Sequence, residues 1–456
     1  MSKPMISVAG IRGIVGDSLV PEEFLRYVLA FATLIDGGAV VVGGDSRLSR
    51  EMMRHLAFAG LASAGSDVHD IGLAPTPTVG MMVRDFKATG GIAITASHNP
   101  SQWNAYKFFD NHGSFLDKDA NARLLEIATS GAFRRVGFKE LGKVVVHDDA
   151  IERHVTAVLK HVDVAGIRAR KFRVVVDCVN GVGAEIVPPL LNRLGCTVDL
   201  LYNNVNAEFP HNPEPLPENL GMLSETVKRL HPDVGFAVDP DADRLAIVDE
   251  TGRPIGEERT LTLAAAAALE RAQKAGKKLG PLVANLSTTR AMDDVAARFG
   301  VPLYRTAIGE AHVVGRIRKE QALIGGEGNG GVIFPPVHAG RDAATGIALI
   351  LDALARAGAD VTMSELNSRI PDYVMIKTKF DVAGLDVSAV ADAMRKEFAD
   401  ATELVTEDGV KAVFDNSWVH ARPSGTEPVV RIFAEAPSEE KANALIERAR
   451  VAVTGS

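Results

Sequence analysis

Two cysteines in 456 residues, Cys178 and Cys196, allow one disulfide at most. Cys178 lies inside an apolar strand-like run, so two buried thiols in a reducing compartment are expected, and a disulfide-stapled secreted fold is excluded. Long hydrophobic runs are missing too. No apolar stretch approaches the roughly 20 residues of a membrane span. The longest candidate, Leu261 to Leu269, is alanine-rich and runs into Glu270, Arg271 and Lys274, as a packed helix does. No signal-peptide core opens the sequence, so a cytoplasmic protein without a membrane partner is expected. Net positive charge is also absent: the formal balance is -8, which argues against a nucleic-acid partner. Phosphate ligands stay open, because a few arginines in one cleft decide the local potential. There is no G-x-x-x-x-G-K-[ST] triphosphate loop, no internal repeat and no low-complexity segment.

What is present is the composition of an ordinary α/β protein, with 46% hydrophobic residues, 24% charged residues and 42 glycines. The length predicts three or four domains. In the first half, short β-branched runs such as Val40-Val41-Val42 alternate with helical patterns such as Arg50 to Ala64, which predicts parallel sheets with crossover helices. A polar, basic stretch at 160–171 precedes a new strand at Phe172 and places a boundary near residue 155. Asn180-Gly181-Val182-Gly183 is only a partial dinucleotide fingerprint and reads as a tight strand-to-helix turn. After Pro371 the pattern becomes strand, helix, hairpin, strand, helix, an antiparallel α+β unit. The expected domains are 1–154, 155–257, 258–371 and 372–456.

Four segments carry chemistry. Thr95-Ala96-Ser97-His98-Asn99-Pro100 ends an apolar strand in a serine, at the strand end where open parallel sheets bind ligands. A turn-capping serine is the bland alternative. Asp239-Pro240-Asp241-Ala242-Asp243-Arg244 sets three carboxylates on alternate residues. With Glu250 they match the ligand spacing of an EF-hand, but Arg244 stands where that loop needs glycine and the flanks are strands. A short loop of hard oxygen ligands suits Mg²⁺ better. Arg422-Pro423-Ser424-Gly425-Thr426-Glu427-Pro428, with Arg431 beyond it, offers arginine forks, hydroxyls and a flexible glycine to an anion. Gly325 to Gly331 is glycine-rich around a carboxylate, Glu327, and an amide, Asn329, a pair suited to sugar hydroxyls. Arg12 and Lys107 read by themselves as surface cations.

These motifs, in this order from Gly10 to Ala436, resemble the α-D-phosphohexomutase family. The resemblance implies three similar α/β domains with mixed sheets around a central cleft and a smaller α+β fourth domain. It also implies interconversion of hexose 6-phosphates and 1-phosphates through a phosphoserine at Ser97 and a hexose 1,6-bisphosphate intermediate. By this resemblance Ser97, Asp239, Asp241 and Asp243 hold one Mg²⁺, while Arg12, His98, Lys107 and Arg244 stand near the reacting oxygens. Glu327 and Asn329 contact the sugar, and Arg422, Ser424, Gly425, Thr426 and Arg431 grip the phosphate that is not transferring. A homodimer is compatible with it.

Within the family the Arg422 loop is similar to that of phosphoglucosamine mutases. The Glu-Gly-Asn-Gly-Gly sugar loop departs from the common Glu-x-Ser-Gly-His form, and Ala105 replaces a usual glycine. Glucosamine 6-phosphate is the expected substrate, with mannose and glucose phosphates as the alternative. A non-catalytic sugar-phosphate-binding protein is the remote one, disfavoured because Ser97 and all three aspartates are present.

Overall fold

The structure, a computed structural model, describes residues 4–7, 10–381, 387–423 and 429–454. Its packing forms two compact units, Met1–Ala267 with Gly330–Leu366, and Ala268–Asn329 with Asn367–Ser456.

The first unit holds two mixed sheets. In the larger, the strands Val40–Gly44, Val68–Leu73, Gly90–Ile94 and Val144–Val146 run parallel, whereas Met5–Ser7, Gly10–Ile14 and Trp103–Phe109 pair antiparallel at one side. The strands read as parallel, at Val40 and Gly91, are parallel neighbours, and the antiparallel side makes the sheet mixed, as the resemblance implied. Only residues 95–102 join Gly90–Ile94 to Trp103–Phe109, too few for the dozen-residue crossover that a parallel return requires. The helix Pro21–Leu34 starts with proline at its first turn followed by Glu22 and Glu23, favourable at a helix N-terminus. It buries Phe24, Tyr27, Val28 and Phe31, the spacing of one helical face, against Tyr106 and Phe108 of the sheet.

In the second sheet of this unit Val234–Val238 lies parallel to Arg173–Asp177 and antiparallel to Leu245–Val248. The turn at 180–183 is packed by the residues just after Val238: a Cβ on Gly181 would stand 2.6 Å from the Pro240 Cα. Those glycines therefore serve close packing under the aspartate loop.

In the second unit, Leu303–Thr306, Leu282–Asn285 and Ile324–Glu327 are parallel neighbours. The C-terminal sheet is antiparallel in the order Val374–Asp381, Val429–Ala436, Trp418–Pro423, Val410–Val413, Glu403–Val405. Alternation splits its strands cleanly. Val419, Ala421, Val430, Ile432 and Ala434 form the core with Met394 of the helix Val387–Glu397, Phe398 just beyond its end, and Ala449 of the helix Glu439–Thr454, the two helices of this domain. Trp418, His420 and Arg422 point to the other face, where the 286–290 segment lies. There Lys411 Nζ donates to the Leu286 carbonyl at 2.5 Å, and the Ser287 hydroxyl bonds His420 Nδ1 at 2.8 Å.

Both cysteines are free and buried. Among the described residues no helix is long and apolar enough to cross a membrane.

Candidate active site

Ser97 closes the strand Gly90–Ile94 with its backbone at φ +49°. A left-handed non-glycine residue is strained by roughly 1–3 kcal/mol unless its surroundings hold it. Here one side chain does most of the holding. The Arg47 side chain is fully buried and uses all five of its N–H donors. Nε donates to Asp45 Oδ2 at 3.1 Å, and the two terminal nitrogens donate to the carbonyls of Ser97 (2.5 Å), Asn99 (2.6 Å), Pro100 (2.6 Å) and Trp103 (2.9 Å). Thr95 Oγ1 donates to Asp45 Oδ2 and accepts the Ser97 amide at 2.9 Å. Burial pushes the Asp45 carboxyl up and Arg47 works against it. Arg47→Met leaves that carboxylate buried without its cation and takes one hydrogen bond from each of four carbonyls, so destabilisation by about 3 kcal/mol is expected. Denaturant titration checks it, and a change below about 1 kcal/mol would contradict this account of the loop.

The loop Asp239 to Asp243 follows the strand Val234–Val238, with Ala242 at φ +51° turning the chain back. All three aspartates are fully buried, and one oxygen from each can be chosen so that the three lie within 4.8 Å of one another. Asp239 Oδ1 accepts the amides of Asp243 (3.1 Å) and Arg244 (3.0 Å), and Oδ2 accepts the Ser97 hydroxyl at 2.9 Å. Asp241 Oδ2 accepts Thr76 Oγ1 at 2.5 Å and Lys107 Nζ at 2.7 Å; Asp243 Oδ2 accepts Arg341 at 2.7 Å. The Oδ1 atoms of Asp241 and Asp243 are buried with no hydrogen-bond donor. Orphaned carboxylate oxygens facing a third carboxylate fit a hard divalent cation, which supplies what the donors lack. The triad is able to hold a metal ion. An EF-hand is ruled out by the flanking strands and by Glu250, which instead caps Ser364, accepting its amide at 3.0 Å.

Around this cluster the protonation states diverge. Burial, then Asp243 and Asp241, pushes Asp239 well up. Burial would raise Asp241 too, but Lys107 and Thr76 outweigh it and hold this carboxyl below its usual range. Burial acts to lower Lys107, yet Asp241 and Asp243 win and keep its ammonium charged. His98 is driven well below its ordinary value by burial and by Arg244, so its imidazole is neutral, with Nδ1 3.4 Å from Ser97 Oγ. Arg244 reaches Glu214 at 3.3 Å, and Arg12 reaches the Asn99 side chain at 3.5 Å. Thus Arg12, Ser97, His98, Lys107, Arg244 and the three aspartates converge in the first unit. Gly10 permits the Arg12 strand to lie close: at φ +117°, a Cβ there would stand 2.2 Å from the Tyr106 carbonyl.

The second unit carries the remaining candidates. Glu327 is buried, its Oε1 accepting Asn285 Nδ2 at 2.9 Å and the Gly309 amide at 3.0 Å. The neighbouring Ile308 amide donates to Asp408 Oδ2 at 2.9 Å, and Asp408 Oδ1 lies 3.3 Å from Arg422 Nε. A short chain of contacts therefore joins Glu327 to Arg422. Asn329 Oδ1 is buried with no donor. Ser424, Gly425 and Thr426 lie outside the described residues.

Sequence reasoning missed Asp45, Arg47, Thr76, Thr95, Glu214, Asp408 and Arg341. Only Thr95 had a local signal, its place beside Ser97; the others are brought in by long-range packing.

A serine hydroxyl against a buried carboxylate triad able to hold a metal, with arginine and lysine beside it, fits an enzyme of phosphoryl transfer. The known proteins agree: the four successive domains of the phosphoglucomutase/phosphomannomutase family match residues 5–135, 152–252, 257–373 and 366–451. The chain belongs to that family, and it is a phosphohexomutase, an isomerase. It is 40% identical to a phosphoglucomutase/phosphomannomutase of Thermococcus kodakarensis over 96% of each chain. It is 37% identical to a probable phosphoglucosamine mutase of Methanopyrus kandleri, over 96% of this chain and 95% of that one. A crystal structure of a family protein from Burkholderia thailandensis superposes with a TM-score of 0.86 at 27% identity, covering 99% of this chain and 98% of the other.

Proposed function

We propose that this enzyme interconverts glucosamine 6-phosphate and glucosamine 1-phosphate through a phosphoserine at Ser97. The observation that carries this is Ser97 Oγ, 2.9 Å from Asp239 within the buried triad. In the forward step the bond between Ser97 Oγ and phosphorus breaks as a bond from the sugar hydroxyl oxygen to phosphorus forms. The sugar hydroxyl proton passes to a base, Ser97 Oγ takes up a proton as it leaves, and a hexose 1,6-bisphosphate results. After the bisphosphate reverses, the bond from its other phosphoryl group to the sugar oxygen breaks as Ser97 Oγ, giving up its proton, bonds that phosphorus, and the sugar oxygen takes up a proton. The neutral His98 imidazole can accept a proton beside Oγ, and Lys107 and Arg12 are placed to hold or donate one. Lys107, Arg244 and Arg12 bring positive charge to the phosphoryl oxygens, where fixed electrostatics does most in phosphoryl transfer. Asp239, Asp241 and Asp243 would hold Mg²⁺, which when bound neutralises charge on the phosphoserine oxygens. Glu327 and Asn329 would orient the sugar, and Arg422, Arg431 and the 424–426 segment would bind the phosphate that stays on it. No nucleotide enters this scheme. We place the enzyme in the cytoplasm, with a homodimer as the proposed assembly.

Glucosamine is supported by the Methanopyrus relative and by a phosphoglucosamine/phosphogalactosamine mutase of Sulfurisphaera tokodaii at 33% identity. The buried, donor-less Asn329 Oδ1 suits a sugar N–H or O–H, which all three candidate sugars offer. The Thermococcus phosphoglucomutase/phosphomannomutase, at 40% identity, keeps glucose and mannose phosphates as the second reading. Specificity constants for the three sugar 1-phosphates decide between them. The glucosamine substrate is expected to lead, with measurable turnover of the others; a clear lead for mannose or glucose overturns the sugar assignment and leaves the mutase chemistry standing.

A further inference from the structure

Three cations stand in one row across the C-terminal sheet. In the antiparallel register Arg422 is directly opposite Arg431, and Arg431 is directly opposite Lys379 on the strand Val374–Asp381. Directly opposed residues share a face with Cβ atoms about 4.5–5.5 Å apart, and like charges so placed destabilise a sheet. The face is the one turned away from the two helices, because the intervening Ala421, Val430, Ile432 and Phe380 pack in or against the core. The row also stands at the end of the sheet where the chain enters and leaves 424–428.

Asp408 is a carboxylate in contact with the row, and it approaches only the Nε side of Arg422. The terminal nitrogens of Arg422 have no hydrogen-bond partner among the described residues. Lys379 is exposed, and likewise none of the described residues bonds its ammonium. Cations gathered on one face suit a phosphate monoester, which carries about -1.5 to -2 at neutral pH.

We infer that Lys379 is a third cationic ligand for the phosphate that stays on the sugar, opposite Arg422 across Arg431. This rests on the proposal that Arg422 and Arg431 bind that phosphate, and it adds a residue no motif marks. Lys379 lies on a separate strand, 43 residues upstream of Arg422, and its ammonium acts as a point charge where the arginines act as forks.

The test compares Lys379→Met, Lys379→Arg and Arg422→Ala in the full-length enzyme, measuring KM and kcat for a sugar 1-phosphate and the inhibition constant of inorganic phosphate. Lys379→Met is expected to raise both KM and the phosphate inhibition constant roughly tenfold, the effect of losing one charge-assisted contact. The change in kcat is expected to be smaller, and Lys379→Arg should recover most of the loss. A merely structural lysine would leave phosphate inhibition unmoved. If Lys379→Met keeps wild-type constants while Arg422→Ala loses affinity, the inference about Lys379 falls and the phosphate site stands. If neither variant loses affinity, the phosphate site itself is misplaced and the inference falls with it.

Discussion

Ser97→Ala is expected to lower turnover by on the order of 10⁴-fold or more, the scale on which enzymes lose activity when a covalent nucleophile is removed. Alanine has no oxygen to carry a phosphoryl group, and no other hydroxyl contacts Asp239 among the described residues. The fold should barely notice. The loop is held through the Ser97 amide and carbonyl, and the Ser97 side chain contributes only the bond to Asp239 and a 3.4 Å approach to His98. Stability within about 1 kcal/mol of wild type is therefore expected, the worth of one ordinary hydrogen bond. Intact-mass analysis after incubation with a hexose 1,6-bisphosphate gives the second readout: one phosphoryl group on the wild type and none on the variant. Turnover within tenfold of wild type in the variant would remove Ser97 from the chemistry.

Chelation is expected to bring turnover to background, and Mg²⁺ to restore it. The physical ground is the buried triad, in which Asp241 and Asp243 each keep an oxygen that no donor reaches. A cation bound there should also stabilise the folded state. With free metal at about 100 times its Kd the gain is about 2.7 kcal/mol, because binding to the native state alone shifts the unfolding equilibrium. Asp241→Asn should abolish both effects. The variant has its own defect, since Lys107 keeps only Asp243, at 3.9 Å, as a carboxylate partner. Stabilisation is therefore measured with and without Mg²⁺ in the same variant, where that defect cancels. Undiminished turnover in chelator, or equal stabilisation in Asp241→Asn, would count against a metal at this triad.

Both predictions rest on residues that announce themselves in the chain, and the reason is physical. A serine at a strand end beside Asn-Pro, or three carboxylates on alternate residues, is a local pattern, and local patterns survive in one dimension. The same holds for the C-terminal unit, whose alternating strands and hairpin spacing point to an antiparallel sheet. Contacts assembled over distance do not survive in this way. Arg47 sits 50 residues before the carbonyl it grips at Ser97, in a stretch that looks like any helix start. Arg341 meets Asp243 from 98 residues away. Lys379 gains meaning only through strand register. Even the stretch at 160–171, which shows in the sequence only as polar and basic, contains the helix Val164–Arg170, capped by Asp163 and buried at Ile167.

The grip of Arg47 on the nucleophile segment has an evolutionary corollary. Because it holds carbonyl oxygens, which every amino acid supplies, the side chains at 99, 100 and 103 can drift without loosening it. Natural variation can then re-tune what surrounds the reacting serine while its position stays fixed. The same economy concentrates vulnerability: losing the one side chain of Arg47 removes four hydrogen bonds from the segment at once.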